Sequence, residues 1–392
     1  MLNLHLLITM KNILFSLILI QFVCGFAWAK TKIDTLTEDL HHGPEWTFTL
    51  HRTDPVHDDL YSEELYHRKR ALWDYYVKYC AKTRLCAIDK SDSPIIYGNF
   101  KVKFNNGLEI EITNDPGVIE IKATKFTKKF IQDNVQFIEE NVFQVMKKHG
   151  LVPHEISGSG HNNIDLNYFK NKPLLLYNFI VDFYNNPAVG IVLNSLANNR
   201  EYARDLNQMK EMIYALTGEQ HVNFVQDLNS IYDRTYKFAK KFKSHPESIK
   251  TVDVVNHFWT VLNLKYAALG MRGDFRKSHS LLAESSRLEL RTLRPQESIN
   301  HYLLVLQFIE ERLAYLEKIK SPLLLVKVPD YHDGWNILGD YAAYLEEANM
   351  SYKKYKPLMP EVWRNLDTKQ FVKSHRFSQH KPMKMVCEGL FK

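Results

Sequence analysis

Charged residues recur at two-residue spacing in several short stretches of this chain, and that spacing puts side chains on one face of a β-strand. In "RLELR", Arg287, Glu289 and Arg291 share a face while Leu288 and Leu290 take the other. By the same rule Glu109 and Glu111 share a face in "EIEIT", Glu120 follows the turn Asp115-Pro116-Gly117, and Glu45 lies in "GPEWTFTL". Any one such face is most simply a solvated one. If the strands are neighbours, the carboxylates meet two arginines. Carboxylates held that closely raise one another's pKa unless cations bind between them, so the constellation predicts Mg²⁺ or Mn²⁺. Arginines beside the metals would clamp phosphate bidentately.

A second group is "SGSGHNNID", residues 157 to 165. Its glycines let backbone approach a ligand closely. His161, Asn162 and Asn163 offer polar contacts beside them. A lone His in a glycine turn is more often a hydrogen-bonding residue than a metal ligand, and both readings stay open. The sequence contains no GxxxxGK[ST], no GxSxG and no HExxH, which removes the P-loop, the nucleophile elbow and the zincin helix from consideration.

The elements that must position these residues follow from periodicity. Residues 43 to 50 read as a strand with Glu45, Thr47 and Thr49 on one face and Trp46, Phe48 and Leu50 on the other. A helix follows at about 61 to 82. Asn105-Asn106-Gly107 turns a hairpin, and "VIEIKA" continues as a strand after the Pro-Gly turn. Residues 127 to 148 carry Ile131, Val135, Ile138, Val142 and Val145 at helical spacing, with Gly150 beyond the end. "GSGHNNIDL" is a short strand. Residues 172 to 270 are mostly helical, with polar breaks at 196 to 205 and 243 to 250. Residues 285 to 293 alternate strictly, and a long helix at 296 to 319 leads to a Pro- and aromatic-rich tail. Strands among helices without regular βαβ spacing predict an α+β class: an antiparallel or mixed sheet with helices packed on its outer face, in one extended domain.

With 392 residues, 45% of them hydrophobic, the chain can bury a large core. Its 51 basic and 45 acidic residues leave a mild excess without a Lys/Arg block, so no nucleic-acid partner is expected. "MKNILFSLILIQFVCGFAWAK" ends in the A-x-A pattern Ala27-Trp28-Ala29 and reads as a signal peptide over residues 1 to 29. A membrane anchor is the competing reading, which the apolar run would only just permit. The expectation is therefore an exported, periplasmic or secreted protein with no stable membrane insertion after the signal is removed. Cys80 and Cys86 could close a small disulfide in an oxidising compartment, leaving Cys387 odd; three unpaired thiols is the alternative.

Taken in order, the motifs resemble those of the glutamine synthetase-like carboxylate-amine ligases, and especially the bacterial amidoligases among them. "TNDPGVIEI" is similar to their D-P-G-V-I-E-V signature, and "SGSGHNNIDL" to their glycine-rich strand with its histidine. "LNLKYAALGMR…RLELRTL" is similar to their R/K-Y-x-A-L-N followed by E-[FL]-R. "GPEWTFT" falls where the family has its first glutamate-bearing strand. The order matches over roughly residues 43 to 320.

The resemblance implies a curved, glutamine synthetase-like sheet and an ATP- and Mg²⁺- (or Mn²⁺-) dependent ligase. Such a ligase activates a carboxylate as an acyl phosphate, which an amine then displaces to form an amide or isopeptide bond. It implies Glu45, Glu120, Glu289 and, more weakly, Glu111 as metal ligands. Arg287 and Arg291 would be catalytic, contacting phosphate or the substrate carboxylate. Lys265, His161, Asn162 and Asn163 would be cofactor-binding. The implied substrate is an amino acid, peptide or peptidoglycan-like molecule with a free carboxylate, together with an amine acceptor. The implied domains are the leader, a ligase-like domain over 30 to 320, and an extension over 321 to 392 packed on it. Departures from the family pattern are the histidine directly after Gly160, with Asn162 and Asn163 in the slot where the family commonly has one that reaches metal or nucleotide; Gly270, where Asn is favoured; and Thr47, where a second glutamate is usual. The alternative function is an exported, noncatalytic binding or interaction protein that keeps the fold.

Overall fold

A computed structural model describes residues 38–50, 59–89, 99–115, 117–153, 158–194, 230–262, 268–272, 286–326 and 334–365. The expected leader, Lys265 and Cys387 lie outside them. The unit from Leu40 onward begins with strand β1 (His41–Leu50), helix α1 (Asp59–Thr83) and strands β2 (Cys86–Ile88) and β3 (Phe100–Phe104). Strands β4 (Glu109–Asp115), β5 (Val118–Ala123) and β6 (Phe126–Thr127) follow. Next come α2 (Lys128–Asp133), α3 (Val135–Ile138), a π-turn at Glu139–Phe143, α4 (Gln144–Lys148), β7 (Leu151–Val152) and β8 (Gly160–Asp165). Helices α5 (Pro173–Asn185), α6 (Pro187–Leu193), α7 (Ile231–Ser244) and α8 (Thr251–Leu262) lead to β9 (Leu269–Arg272) and β10 (Arg287–Leu293). Helices α9 (Ile299–Leu316) and α10 (Gly334–Glu347) lie beyond.

The ten described strands form one sheet in the order β2-β3-β4-β5-β1-β8-β10-β9, with β6 and β7 also pairing β1. Every described pairing is antiparallel. The class is thus α+β, as expected, and antiparallel rather than mixed. Consecutive strands make the β2–β5 half as hairpins. Gly107 and Gly117 hold the positive φ values of 93° and 79° that turns demand and side chains resist.

One face of the sheet is apolar. Trp46, Phe48, Ile110, Ile112, Ile119, Ile121, Ile164 and Leu288 are buried there. Helices cover it: Phe143 of the π-turn meets Trp46 and Phe48, and Tyr302 of α9 meets Trp46 edge-on. Trp73 and Tyr76 of α1 pack on Phe100. A Cys80–Cys86 disulfide ties the end of α1 to β2, which resolves the cysteine alternatives for that pair.

Two local expectations change. Residues 127 to 148 are not one helix, because Asn134 leaves the helical region (φ −121°, ψ 19°) and its Nδ2 donates to the Phe130 carbonyl, closing one turn and restarting the next. The π-turn then re-phases the chain so that Ile138, Val142 and Val145 still face the core. The stretch read as helical to 270 ends instead in strand β9, whose four residues are too few to display a period.

The helical layer beyond β9 and β10 is fixed by one buried ion pair. Arg312 of α9 donates from Nε and Nη2 to Asp182 of α5 at 2.9 and 2.5 Å, from Nη1 to the Tyr344 carbonyl, and from Nη2 to Glu347 of α10. The guanidinium also lies 3.8 Å over the Tyr344 ring. Three helices therefore share one cation. Arg312→Met is expected to leave the buried Asp182 carboxyl without its cation and to lower unfolding stability in urea by roughly 3–5 kcal/mol; adding Asp182→Leu should restore most of that loss.

Candidate active site

The opposite face of the sheet is polar, and strand pairing decides what meets on it. β1 lies between β5 and β8, with Thr47 opposite Glu120 and Glu45 opposite His161. β8 in turn sets Asn163 opposite Glu289 of β10. Side chains two apart share a face, so Glu45, Glu120, His161, Asn163 and Glu289 come together although 244 positions separate the first from the last. Glu45, Glu120, His161 and Glu289 are only 3–7% exposed, so their charges are compensated by neighbours rather than by bulk water.

Glu45 is the centre of the group. Its Oε2 lies 3.0 Å from His161 Nδ1, and its Oε1 accepts from Asn163 Nδ2 at 3.0 Å. Burial alone would raise its pKa, but the His161 hydrogen bond, the attraction of that ring whenever it is protonated, and the Asn163 bond outweigh it and hold the carboxyl well below the usual range. Glu120 shifts the other way. Burial and the charge of Glu45 raise it, against the pull of Lys122, whose Nζ is 2.8 Å from Glu120 Oε2. Thr113 Oγ1 donates to the same oxygen at 3.3 Å. The two acids thus divide their roles, Glu45 ionised and Glu120 readily protonated.

Glu289 is matched by arginines. Arg272 Nε and Arg291 Nη1 end on its Oε2 at 2.6 and 2.7 Å, and its Oε1 is 3.7 Å from His161 Nδ1. Arg287 Nε donates to Asn163 Oδ1 at 2.8 Å, so Asn163 bridges an arginine to Glu45. Glu45, His161 and Glu289 each offer one donor atom, all within 4.8 Å of one another. Two carboxylate oxygens and one imidazole nitrogen suit Mn²⁺, and Mg²⁺ with water completing its shell. The donor chemistry fits a divalent ion.

Beside this group a cleft of ≈ 380 Å³ opens where the neighbour of β1 changes from β5 to β6. Gly43 and Pro44 lie opposite Asn163 and Asn162 of β8 but have no register partner on β5 or β6, a gap that lets a central strand tolerate a proline, and Asn163 Nδ2 donates to the Gly43 carbonyl. Lys122, Lys125 and Arg287 line the cleft with Glu45, Glu111 and Asp165. Its size and mixed charge suit a small polar ligand.

The structure sorts the sequence-derived candidates. Glu45, Glu120, His161, Asn163, Glu289, Arg287 and Arg291 meet on one face. Glu111 shares that face but stands apart from the three-donor group, opposite Lys122 at the cleft's lip, where its Oε1 accepts from Asn99. Asn162 is a correction: alternation turns it to the apolar face, fully buried, where it accepts from Tyr302 Oη at 2.6 Å and its Nδ2 lies 3.1 Å from His42 Nδ1. It cannot reach a ligand that Asn163 touches. Lys265 lies outside the described residues. Two contributors were missed. Arg272 sits on the unrecognised strand β9, and Lys122 carried a usable signal, two residues after Glu120 on the same face.

No protein-family model matches the chain, and no curated protein does. Among solved structures it aligns with GmaS in its ligand-free form at 10% identity over 84% of this chain and 69% of that one, with a TM-score of 0.36. A glutamine synthase homologue aligns at 12% identity over 85% and 66%, with a TM-score of 0.34. The glutamine synthetase of Plasmodium falciparum aligns at 9% identity over 77% and 57%, with a TM-score of 0.33. Likeness at this level carries no argument about chemistry, and the geometry has to stand alone.

The geometry makes a direct claim on metal binding. Titration with Mn²⁺, followed by electron paramagnetic resonance of the free ion, should show a site that weakens at least about 10-fold in Glu45→Gln and in Glu289→Gln. Glu109→Gln, half-buried at the first position of β4 beside Lys103 and away from the three-donor group, should bind as the parent does.

Proposed function

We propose that the protein is an ATP- and Mg²⁺-dependent carboxylate-amine ligase, forming an amide or isopeptide bond on an amino acid, peptide or peptidoglycan-like substrate after export. One observation carries the reading: Glu45, Glu120, Glu289 and His161 are gathered, buried, on one sheet face and rimmed by Arg272, Arg287, Arg291 and Lys122. A site that combines hard acidic donors with several guanidinium groups is suited to phosphate oxygens and to the charge that develops in phosphoryl transfer.

Glu45, Glu289 and His161 would hold the divalent ion, with Glu120 beside them; when bound, it supplies charge neutralisation for nucleotide phosphates. The chain's own residues account for the rest. Arg287, anchored through Asn163, and Arg291 would orient phosphate or the substrate carboxylate, and the buried setting excludes water that would hydrolyse an acyl phosphate. Glu120, which keeps a proton more readily than an ordinary carboxyl, would, once ionised, take a proton from the bound ammonium so that the free amine can attack. Lys125 and Asp165, paired at 2.9 Å, and Lys122 give the cleft both signs of charge, as an amino acid or peptide end requires.

A second reading, a noncatalytic binding protein, is favoured by a specific observation. Glu289 and Glu120 already have basic partners within 2.8 Å, so those two acids are compensated without any cation. The two readings separate in one assay. With ATP, Mg²⁺ and mixed amino acids and amines, the ligase reading expects phosphate release that depends on the amine acceptor, reduced at least about 100-fold in Glu120→Gln and Glu289→Gln. Absence of ATP binding by calorimetry, with both variants indistinguishable from the parent, would leave the binding-protein reading.

A further inference from the structure

Ser159 stands immediately before β8, half-buried, and its carbonyl accepts from Thr47 Oγ1 at 2.8 Å, which ties it to the central strand. Its Oγ lies 3.0 Å from His161 Nε2. The other ring nitrogen, Nδ1, lies 3.0 Å from Glu45 Oε2. An ionised carboxylate can only accept, so the proton of a neutral ring sits on Nδ1, Nε2 presents its lone pair, and the Ser159 hydroxyl donates to it. Asn163 grips the second oxygen of Glu45 and stops the carboxylate from rotating away. Hydroxyl, imidazole and carboxylate therefore stand in the order that activates a serine, each within hydrogen-bond reach of the next. The arrangement is invisible to a motif search, because Glu45 comes from a distant strand and no GxSxG surrounds the serine.

From this geometry we infer that Ser159 is a nucleophile for acyl transfer, with activated acyl esters or thioesters as its class of substrate. The Ser159 Oγ forms a bond to the carbonyl carbon as its proton passes to His161 Nε2. The bond from that carbon to the leaving oxygen or sulfur then breaks, and the leaving group departs with the same proton as an alcohol or thiol. Water or a primary amine then attacks the acyl carbon and gives up a proton to His161 Nε2; the carbon–Oγ bond breaks, Ser159 Oγ takes that proton back, and a carboxylic acid or an amide is released. The energy comes from the ester itself, so no nucleotide takes part. This activity needs the His161 ring free of metal, so it is an alternative state of the face to the ligase reading, with which it shares His161 and Glu45.

The experiment uses the purified full chain in metal-free buffer with a fluorophosphonate probe, followed by intact mass and peptide mapping. The expected result is a single adduct on Ser159, absent in Ser159→Ala, forming at least about 100-fold more slowly in His161→Gln. Circular dichroism confirms that each variant is folded, and Glu45→Gln, which keeps a hydrogen-bonding side chain against the ring, serves as the second test of base activation. Folded parent protein without an adduct at Ser159 overturns the inference. So does labelling that proceeds as fast in folded His161→Gln or Glu45→Gln as in the parent.

Discussion

The polar face of this protein depends on how one buried carboxylate is kept ionised. Glu45 occupies the central strand, where its neighbours are dictated by pairing on both sides and only a small part of its side chain reaches the cleft. His161 and Asn163, two apart on β8, take one of its oxygens each. Any slip of a single residue between β1 and β8 would turn both ligands to the apolar face and leave the charge uncompensated, so the register and the site are one constraint. From Glu45 the chain of compensation runs outward through Asn163 to Arg287, and through His161 toward Glu289 with its two arginines.

The same strands are held from behind by a second polar group on the helix-facing side. Asn162 receives the Tyr302 hydroxyl and presents its amide to His42 Nδ1. Because that amide donates, His42 carries its proton on Nε2, 3.6 Å from Glu310 Oε1, and Lys128 closes on the other oxygen of Glu310. Burial would raise Glu310, yet His42 and Lys128 hold it below the ordinary carboxylate range. Strand β8 is thus pinned on both faces, by Asn162 to α9 and by His161 and Asn163 to β1. Such buried polar groups specify one register where an all-apolar strand would permit several.

Much of the face was legible in the sequence, and the limits of that legibility are physical. Period-two alternation correctly grouped Arg287, Glu289 and Arg291, placed Glu45 with Thr47, and put the hairpin at Asn105–Gly107, because those signals are local. Pairing order is not local. Nothing in the alternation says that Glu120 lies beside β1 while Glu111 lies one strand further away, and that difference of one strand separates a carboxyl beside Glu45 from one at the rim. Alternation also contained the distinction between Asn162 and Asn163, since neighbours in a strand face opposite ways; treating the two as a pair overlooked it. Arg272 was hidden by the shortness of β9, and the break at Asn134 by an apolar spacing that the π-turn preserves.

Stability does not explain why such a group is present. Desolvating several ionisable groups is costly, and buried ion pairs are commonly matched or bettered by apolar residues of similar volume. The Asp182–Arg312 pair at least joins three helices. Glu45, Glu120 and Glu289 join strands that backbone hydrogen bonds already connect, so their charge adds repulsion that Arg272, Arg291 and Lys122 must then offset. A face assembled at that cost from four strands, next to a cleft open to small polar molecules, is the kind of arrangement that the proposed ligand-handling role requires and that folding alone does not. The imidazole of His161 sets the terms of that chemistry. With its proton on Nδ1 it serves Glu45 and leaves Nε2 free for Ser159; with Nδ1 given to a cation, the proton moves to Nε2 and Ser159 becomes an acceptor that merely steadies the ring. One ring therefore cannot support both the proposed metal site and the proposed activated serine at once, and the state of that single nitrogen would decide between them.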